Sequence, residues 1–363
     1  MSESKLISNP TIDDLVNSAL ERKVFPCLEI LVGRGERVEY HEAYGRPDPD
    51  EPEKRLKKKS LFDLASLTKP LATALAVLHL VHNRQLALDD YLHKFFPEFS
   101  QDKKKLVTIR HLLSHTSGLP DWIALFEPNF NTDEGWQKLL QIQLSHEPDH
   151  KMEYSCLGYI ILGELVRLVS GTSLNDYCRS QIFKPLHLDH LLFNPLSETA
   201  LPDIIPTGYC PMRNTNLKGQ VHDENAALFY GEGGNSGLFG TASDIHALSS
   251  MLLSESDTDL HDIIPRRLLK EMFRNQNQPS LSPRSIGWDF KSGKADYWSC
   301  SQKMPEGSIG HLGFTGTSLW MDPSSKLIII LLSNRVLVSR EGNIPQMREF
   351  RPQMHELLLS IFL

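Results

Sequence analysis

Apolar residues between positions 71 and 81 fall three and four apart, as Leu71, Ala74, Leu75, Leu78 and Val81. That spacing predicts a helix with one broad buried face. Pro70 belongs in its first turn, because an interior proline loses a hydrogen bond and clashes with the carbonyl four residues back. The helix should therefore begin at or just after Ser66. Upstream, Thr11-Ile12-Asp13-Asp14 reads as a capping box opening a helix with Ile12, Leu15, Val16 and Ala19 inward. The run Leu28 to Val32, the turn Gly33-Arg34-Gly35-Glu36 and the alternating Val38 and Tyr40 predict a hairpin with a four-residue loop.

From Ser66 to about Leu253 helix signals dominate: Thr108 to Leu113, Asp133 to Leu144, Leu157 to Val169 closing at Ser170-Gly171, Ser173 to Ile182, and Ser243 to Leu253. Strand signals return only near the C-terminus, at Ile309 to Phe314, Ser318 to Met321 and Leu327 to Leu332, with Asp322-Pro323-Ser324-Ser325 as a turn. Pro352 to Phe362 reads as a final helix with the proline in its first turn. The order of elements predicts an α/β protein of the α+β type. An antiparallel sheet is built from both termini and flanked by helices, with a helical subdomain inserted. Within one domain over 1–363, the sheet part is expected at 1–65 and about 255–363, and the helical part at about 66–254.

Composition narrows the class. With 363 residues, 40% hydrophobic and 23% charged, the chain has ample core and an ordinary soluble balance. A net charge of −7 gives no reason to expect a nucleic acid or an anionic membrane as partner. The basic tract Lys54 to Lys59 follows Asp48, Asp50, Glu51 and Glu53 and reads as a solvated loop. Met1 to Pro10 lack an apolar signal-peptide core, and no run approaches a membrane span. Five cysteines, odd in number and without C-x-x-C spacing, argue against a disulfide framework or a zinc site. A cytoplasmic protein without cofactor or metal is the expectation, its oligomeric state left open.

The chemistry centres on Ser66 and Lys69. A hydroxyl near a helix start, with an amine three residues on, is a plausible activated nucleophile. The same spacing occurs at Ser2/Lys5 and Ser100/Lys103 in polar stretches, so the pair needs partners to mean more than a cap. Three stretches supply candidates. Tyr154-Ser155-Cys156 precedes a buried helix, where a tyrosine also serves as a plain anchor. His311-Leu312-Gly313-Phe314-Thr315-Gly316 carries glycine in a strand, a mark of a bulge or of close approach. In His111 to Pro120 the histidines sit beside a helix end and read as structural.

Taken together and in order, these motifs resemble the serine β-lactamase-related family of class C β-lactamases, D,D-peptidases and related esterases and amide hydrolases. The resemblance rests on Ser66-Leu67-Thr68-Lys69, His115-Thr116-Ser117-Gly118-Leu119, Tyr154-Ser155-Cys156, His311-Leu312-Gly313, Gly237-Leu238-Phe239 and Leu332-Ser333-Asn334-Arg335. It spans roughly Leu28 to Arg335 and implies a β-lactamase/transpeptidase-like fold. By the same resemblance Ser66 is the acylated nucleophile, Lys69 accepts or relays its proton, and Tyr154 is the general base. The backbone N–H groups of Ser66 and of Phe314, on the strand, form the oxyanion hole. Gly313, His311 and Cys156 line the substrate site.

Two departures matter. At His311 and Leu312 the family pattern has lysine and threonine; histidine is mostly neutral at pH 7, so a fixed cation is missing there. At Cys156 the β-lactamases have asparagine, and cysteine is a weak hydrogen-bonding substitute. Both weaken β-lactam recognition and leave the acyl-transfer groups in place. The expectation is a serine hydrolase acting on a small-molecule ester or amide. A β-lactamase or D-amino-acid peptidase, and a non-catalytic binding protein on the same fold, are the alternatives. Roles for His115 and His222 are unassigned.

Overall fold

The computed structural model describes residues 10–198, 201–293, 295 and 297–363. The chain opens with α1 (Pro10–Glu21), β1 (Cys27–Arg34), β2 (Arg37–Gly45) and β3 (Phe62–Asp63), then α2 (Ala74–His82). The middle holds α3 (Ile109–Leu113), α4 (Thr132–Gln141), α5 (Cys156–Ser170) and α6 (Leu174–Cys178). Short strands β4 (Leu192–Phe193), β5 (Pro206–Cys210) and β6 (Thr215–Lys218) follow, with α7 (Glu224–Leu228) and β7 (Leu238–Gly240). Next come α8 (Ala242–Leu252), α9 (Asp259–Ile263), α10 (Arg266–Met272) and β8 (Asp289–Phe290). The C-terminal part is β9 (Ile309–Leu312), β10 (Ser318–Asp322), β11 (Leu327–Ser333) and α11 (Ile344–Phe362).

Six strands form one antiparallel sheet in the order β2-β1-β11-β10-β9-β8. The two ends of the chain meet at its centre, where Leu28 lies opposite Ser333 and Arg34 opposite Leu327. This is the sheet from both termini that the order of strand signals implied. Every residue of β11 is buried, and its side chains alternate between two cores, as a strand covered on both faces requires. Ile328, Ile330 and Leu332 join Leu31, Met321 and the helices α2, α5 and α8. Leu327, Ile329 and Leu331 join Leu28, Ile30 and Trp320 under α1 and α11. Each such leucine or isoleucine contributes roughly 1.5–3 kcal/mol by leaving water.

Four expectations need correction. Strands are not confined to the ends: β3, β7 and β4 form a small sheet and β5–β6 a hairpin, too short to show an alternating pattern. The first hairpin turns through Gly35-Glu36 alone, because Gly33 and Arg34 belong to β1. Gly33 is there for contact, since a Cβ would lie 2.1 Å from Nε2 of His246. The last helix begins at Ile344, with Pro345 in its first turn and Pro352 inside it. Buried Met347, Phe350, Met354 and Leu358 hold that helix on the sheet and outweigh one missing N–H. Finally, Ser66 does not open an α-helix. It sits in a 3₁₀ turn, Ala65–Leu67, followed by a π turn, Lys69–Thr73, before α2 begins.

Of the other Ser-x-x-Lys pairs, Ser2/Lys5 lies outside the described residues. At the second, Ser100 bonds the carbonyl of Pro97 and Lys103 pairs with Glu147, both at the surface.

Gly310 on β9 packs against the face of Trp320 on β10, where an added Cβ would come 2.1 Å from the indole. We expect Gly310→Ala to lower unfolding stability by about 1–3 kcal/mol through overpacking. Urea denaturation reads this directly, and an unchanged midpoint would show that the sheet absorbs the methyl.

Candidate active site

The turn bearing Ser66 is held from three sides. Ala65 takes a left-handed φ of 47°, a strained conformation for alanine, and its N–H donates to the Asp63 carboxylate at 2.8 Å. Thr68 Oγ1 donates to the Ala65 carbonyl and accepts from the Leu238 N–H. From the sheet side, Thr315 and Thr317 hydroxyls donate to the carbonyls of Asp63 and Leu64 at 2.9 and 3.1 Å. Gly313 lets this happen: a Cβ there would lie 2.6 Å from the Leu64 carbonyl oxygen. Gly313, just past the end of β9, thus marks close approach of another backbone.

Lys69, one turn on, is completely buried. Its Nζ donates to Ser66 Oγ at 3.0 Å and to the Asn235 carbonyl at 2.9 Å, and lies 3.6 Å from Cys156 Sγ. The Asn235 carbonyl comes from a glycine-rich loop, residues 231–237, which reaches Lys69 by packing Gly234 on Gly163 of α5 and by accepting from Thr73 Oγ1 at the Gly234 carbonyl.

Tyr154 is set by the His115–Asp121 segment. The N–H of Glu153 donates to the His115 carbonyl, that of Ser155 to His115 Nδ1, and that of Cys156 to the Asp121 carbonyl. Ser155 Oγ donates to the Pro120 carbonyl and caps α5 by accepting from Gly158. The His115 ring lies 4.5 Å from that of Tyr154. His115 thus builds the entry to α5 on which Tyr154 stands. Lys69 Nζ lies 5.1 Å from the centre of the Tyr154 ring.

Ser66, Tyr154, Cys156, Arg284, His311 and Phe314 share the lining of one cavity of about 810 Å³. Phe314 is not on the strand as expected: β9 ends at Leu312, and Phe314 lies in the turn to β10. Both Ser66 and Phe314 keep a backbone N–H without a hydrogen-bond partner among the described residues. No three His, Cys, Asp and Glu side chains among the described residues gather as a metal site would require. All five cysteines are unpaired.

A family model for Beta-lactamase matches residues 12–350. The chain belongs to the beta-lactamase family. Among its relatives is the "N-acetylmuramyl-L-alanine amidase" of Bacillus subtilis strain 168, 28% identical over 359 residues, covering 88% of this chain and 80% of that protein. Another is a "Putative D-alanyl-D-alanine carboxypeptidase" of Escherichia coli K12, 28% identical over 346 residues, covering 86% and 79%. Two similar folds are the octameric penicillin-binding protein homologue from Pyrococcus abyssi (TM-score 0.74, 19% identity, covering 98% of this chain and 78% of that one) and EstCE1, a hydrolase with promiscuous acyltransferase activity (0.70, 21%, 94% and 98%).

The electrostatics of the site are set by burial and by two cations, Lys69 and Arg284. Burial pushes the Tyr154 phenol up from the ordinary tyrosine value, against the pull of the Lys69 ammonium. Burial works against the Lys69 ammonium, while negative charge on Cys156 or Tyr154 would favour it and raise its pKa. Burial raises the Cys156 thiol likewise. His311 and His115 are both held well below the usual histidine value by burial and by the charges of Lys69 and Arg284. His311 Nδ1 faces the Leu312 carbonyl at 2.8 Å, and its buried Nε2 has no partner among the described residues. His222, lowered to about 4 by burial and Arg340, stands 5.7 Å from the Phe314 ring. His311 is thus pushed toward its neutral form, and the cavity holds a fixed cation elsewhere. Arg284 lies over Tyr154, in a stretch where the sequence showed no motif.

The glycine loop is the most exacting support of Lys69. Gly234 has φ 78°, and a Cβ would lie 2.2 Å from the Tyr159 carbonyl. We expect Gly234→Ala to displace the Asn235 carbonyl and slow modification of Ser66 by a fluorophosphonate roughly tenfold or more, the scale of losing a hydrogen bond to a charged group. A labelling rate equal to wild type would show that the loop does not position Lys69.

Proposed function

We propose that the chain is a serine hydrolase that acts through a Ser66 acyl-enzyme on small esters or amides. The observation that carries this reading is the contact of Ser66 Oγ with a fully buried Lys69, beside Tyr154 in a cavity with two free N–H groups. Lys69 as an ammonium has no lone pair to offer, so its part is to hold Ser66 and stabilise negative charge beside it. The proton of Ser66 then goes to Tyr154 in its ionised form, as Ser66 Oγ bonds the substrate carbonyl carbon. The N–H groups of Ser66 and Phe314 take the developing oxyanion. Tyr154 returns the proton to the leaving alcohol or amine, and water repeats the sequence to free Ser66.

A second reading, a D-amino-acid peptidase, is favoured by one feature beyond the relatives' names. Arg348 is exposed in the cavity with its guanidinium 4.6 Å from the Tyr297 ring, and a substrate carboxylate would find a cation there. A non-catalytic binding protein has no need of a buried lysine bonded to a serine in a cavity.

Intact mass after a fluorophosphonate should show one adduct, and peptide mapping should place it on Ser66. Ser66→Ala should lower kcat by at least ~10³-fold with the fold intact. An adduct on any other serine would overturn the assignment. Tyr154→Phe should cost about 10²–10⁴-fold in kcat; wild-type turnover would return Tyr154 to a helix anchor. p-Nitrophenyl esters of rising chain length, nitrocefin and D-Ala-D-Ala peptides, compared by kcat/KM, separate the substrate classes. A clear preference for the peptides would favour the second reading.

A further inference from the structure

Arg284 was assigned no part by any motif, yet its surroundings are built. The guanidinium carbon lies 5.3 Å from the centre of the Tyr154 ring, and the side chain is 13% exposed and ion-paired with Asp289 of β8. The backbone is fixed just as closely. Arg284 N–H donates to Asn275 Oδ1, and its carbonyl accepts from the Gln276 N–H. Three residues on, Gly287 packs against Pro70 at the start of the α2 segment, with a left-handed φ of 84° and room for no side chain without contact at 3.1–3.4 Å. Its N–H donates to the Leu113 carbonyl, which also accepts from Tyr159 Oη. The loop that carries Arg284 is thus tied to the elements that carry Ser66, His115 and Tyr154.

We propose that Arg284, oriented by Asp289, is a positioning residue that supplies the fixed positive charge under which Tyr154 ionises. The proposal rests on Tyr154 being the base. The groups around Tyr154 are Lys69 and Ser66 from the turn before α2, Cys156 and Tyr159 from α5, His115 from the loop after α3, His311 from β9, and Arg284. Asp223 acts on the same cluster through Lys69 and Cys156. The histidines are neutral and Cys156 is a thiol, so Lys69 and Arg284 are the cations of this set. Lys69 bonds Ser66 and the Asn235 carbonyl and pulls the Tyr154 phenol down from its own side; Arg284 adds a second cation from a different element. Arg284 faces the ring, where a cation is attracted even to the neutral phenol and more strongly to the anion. Arg284 gains and loses no proton; it changes how often Tyr154 is ready to take the one from Ser66.

The rate of Ser66 phosphonylation by a fluorophosphonate, followed against pH, tests this without a known substrate. In the wild type the rate should rise along an acid limb set by Tyr154. Arg284→Gln with Asp289→Asn removes both charges and keeps polar groups in place. It should move the limb upward by about one pH unit, a tenfold slower rate on the limb, with the two rates converging above it. Arg284→Lys should restore much of the wild-type limb. A merely structural role would lower the rate equally at all pH values or not at all, and an unmoved limb in the paired variant would overturn the proposal. If the paired variant does not fold, as judged by circular dichroism, Arg284→Met is read in the same way. Tyr154→Phe separates the two levels of the argument. If it keeps the limb, the reading of Tyr154 as base fails, and the role of Arg284 with it. If it abolishes the limb while the Arg284 variants leave it unmoved, only the role of Arg284 fails.

Discussion

A lysine ammonium with no exposure to water is costly unless its hydrogen bonds are met, by several kcal/mol for an uncompensated charge. Lys69 is in that position, and much of the fold around the site follows from satisfying it. The Ser66 hydroxyl, the Asn235 carbonyl and the Cys156 sulfur surround its Nζ, and the rings of Tyr154 and Tyr159 face it at 5.1 and 5.7 Å. Each partner imposes a demand of its own. The Asn235 carbonyl needs a loop lying against α5, hence Gly234 against Gly163. Tyr154 needs a defined entry to α5, hence the three N–H groups of Glu153, Ser155 and Cys156 that donate to the His115–Asp121 segment. Ser66 needs a turn that is neither strand nor α-helix, hence the strained Ala65 and the widened turn through Thr73.

The extent to which this was legible in the sequence depends on the range of the interactions. Elements fixed by local periodicity were readable: the buried face of Leu71 to Leu78, the capped α5 ending at Gly171, and the terminal strands. Motif residues came together as their order suggested, because Ser66, Lys69, Tyr154 and Cys156 each sit at an element boundary with a recognisable local signature. What escaped reading was set by contacts distant in sequence. The π turn after Ser66 has no periodic signal. Gly33 looks like a turn glycine until His246 is seen beside it. α11 starts at Ile344 because Met347 and Phe350 find the sheet, which a proline at 352 conceals. Arg284 stands next to Tyr154 only through Gly287 and Pro70, a relation that no spacing in the chain announces.

The site also shows how its charges are distributed between strand and loop. His311 on β9 is pushed toward its neutral form by burial and by the charges of Lys69 and Arg284. A cation is nonetheless present across the ring of Tyr154, carried by a loop that packs on the start of α2. Strand and loop approach the same tyrosine from different elements, with His311 on one and Arg284 on the other. A lysine on the strand would face Lys69 and Arg284 in a buried setting, where like charges oppose one another strongly. With Arg284 in place, a neutral side chain at 311 is therefore the electrostatically consistent choice. Arg284 in turn is tolerable in a buried setting because Asp289 pairs with it. The neutral strand histidine and the paired loop arginine are best understood as one arrangement, in which each residue is explained by the presence of the other.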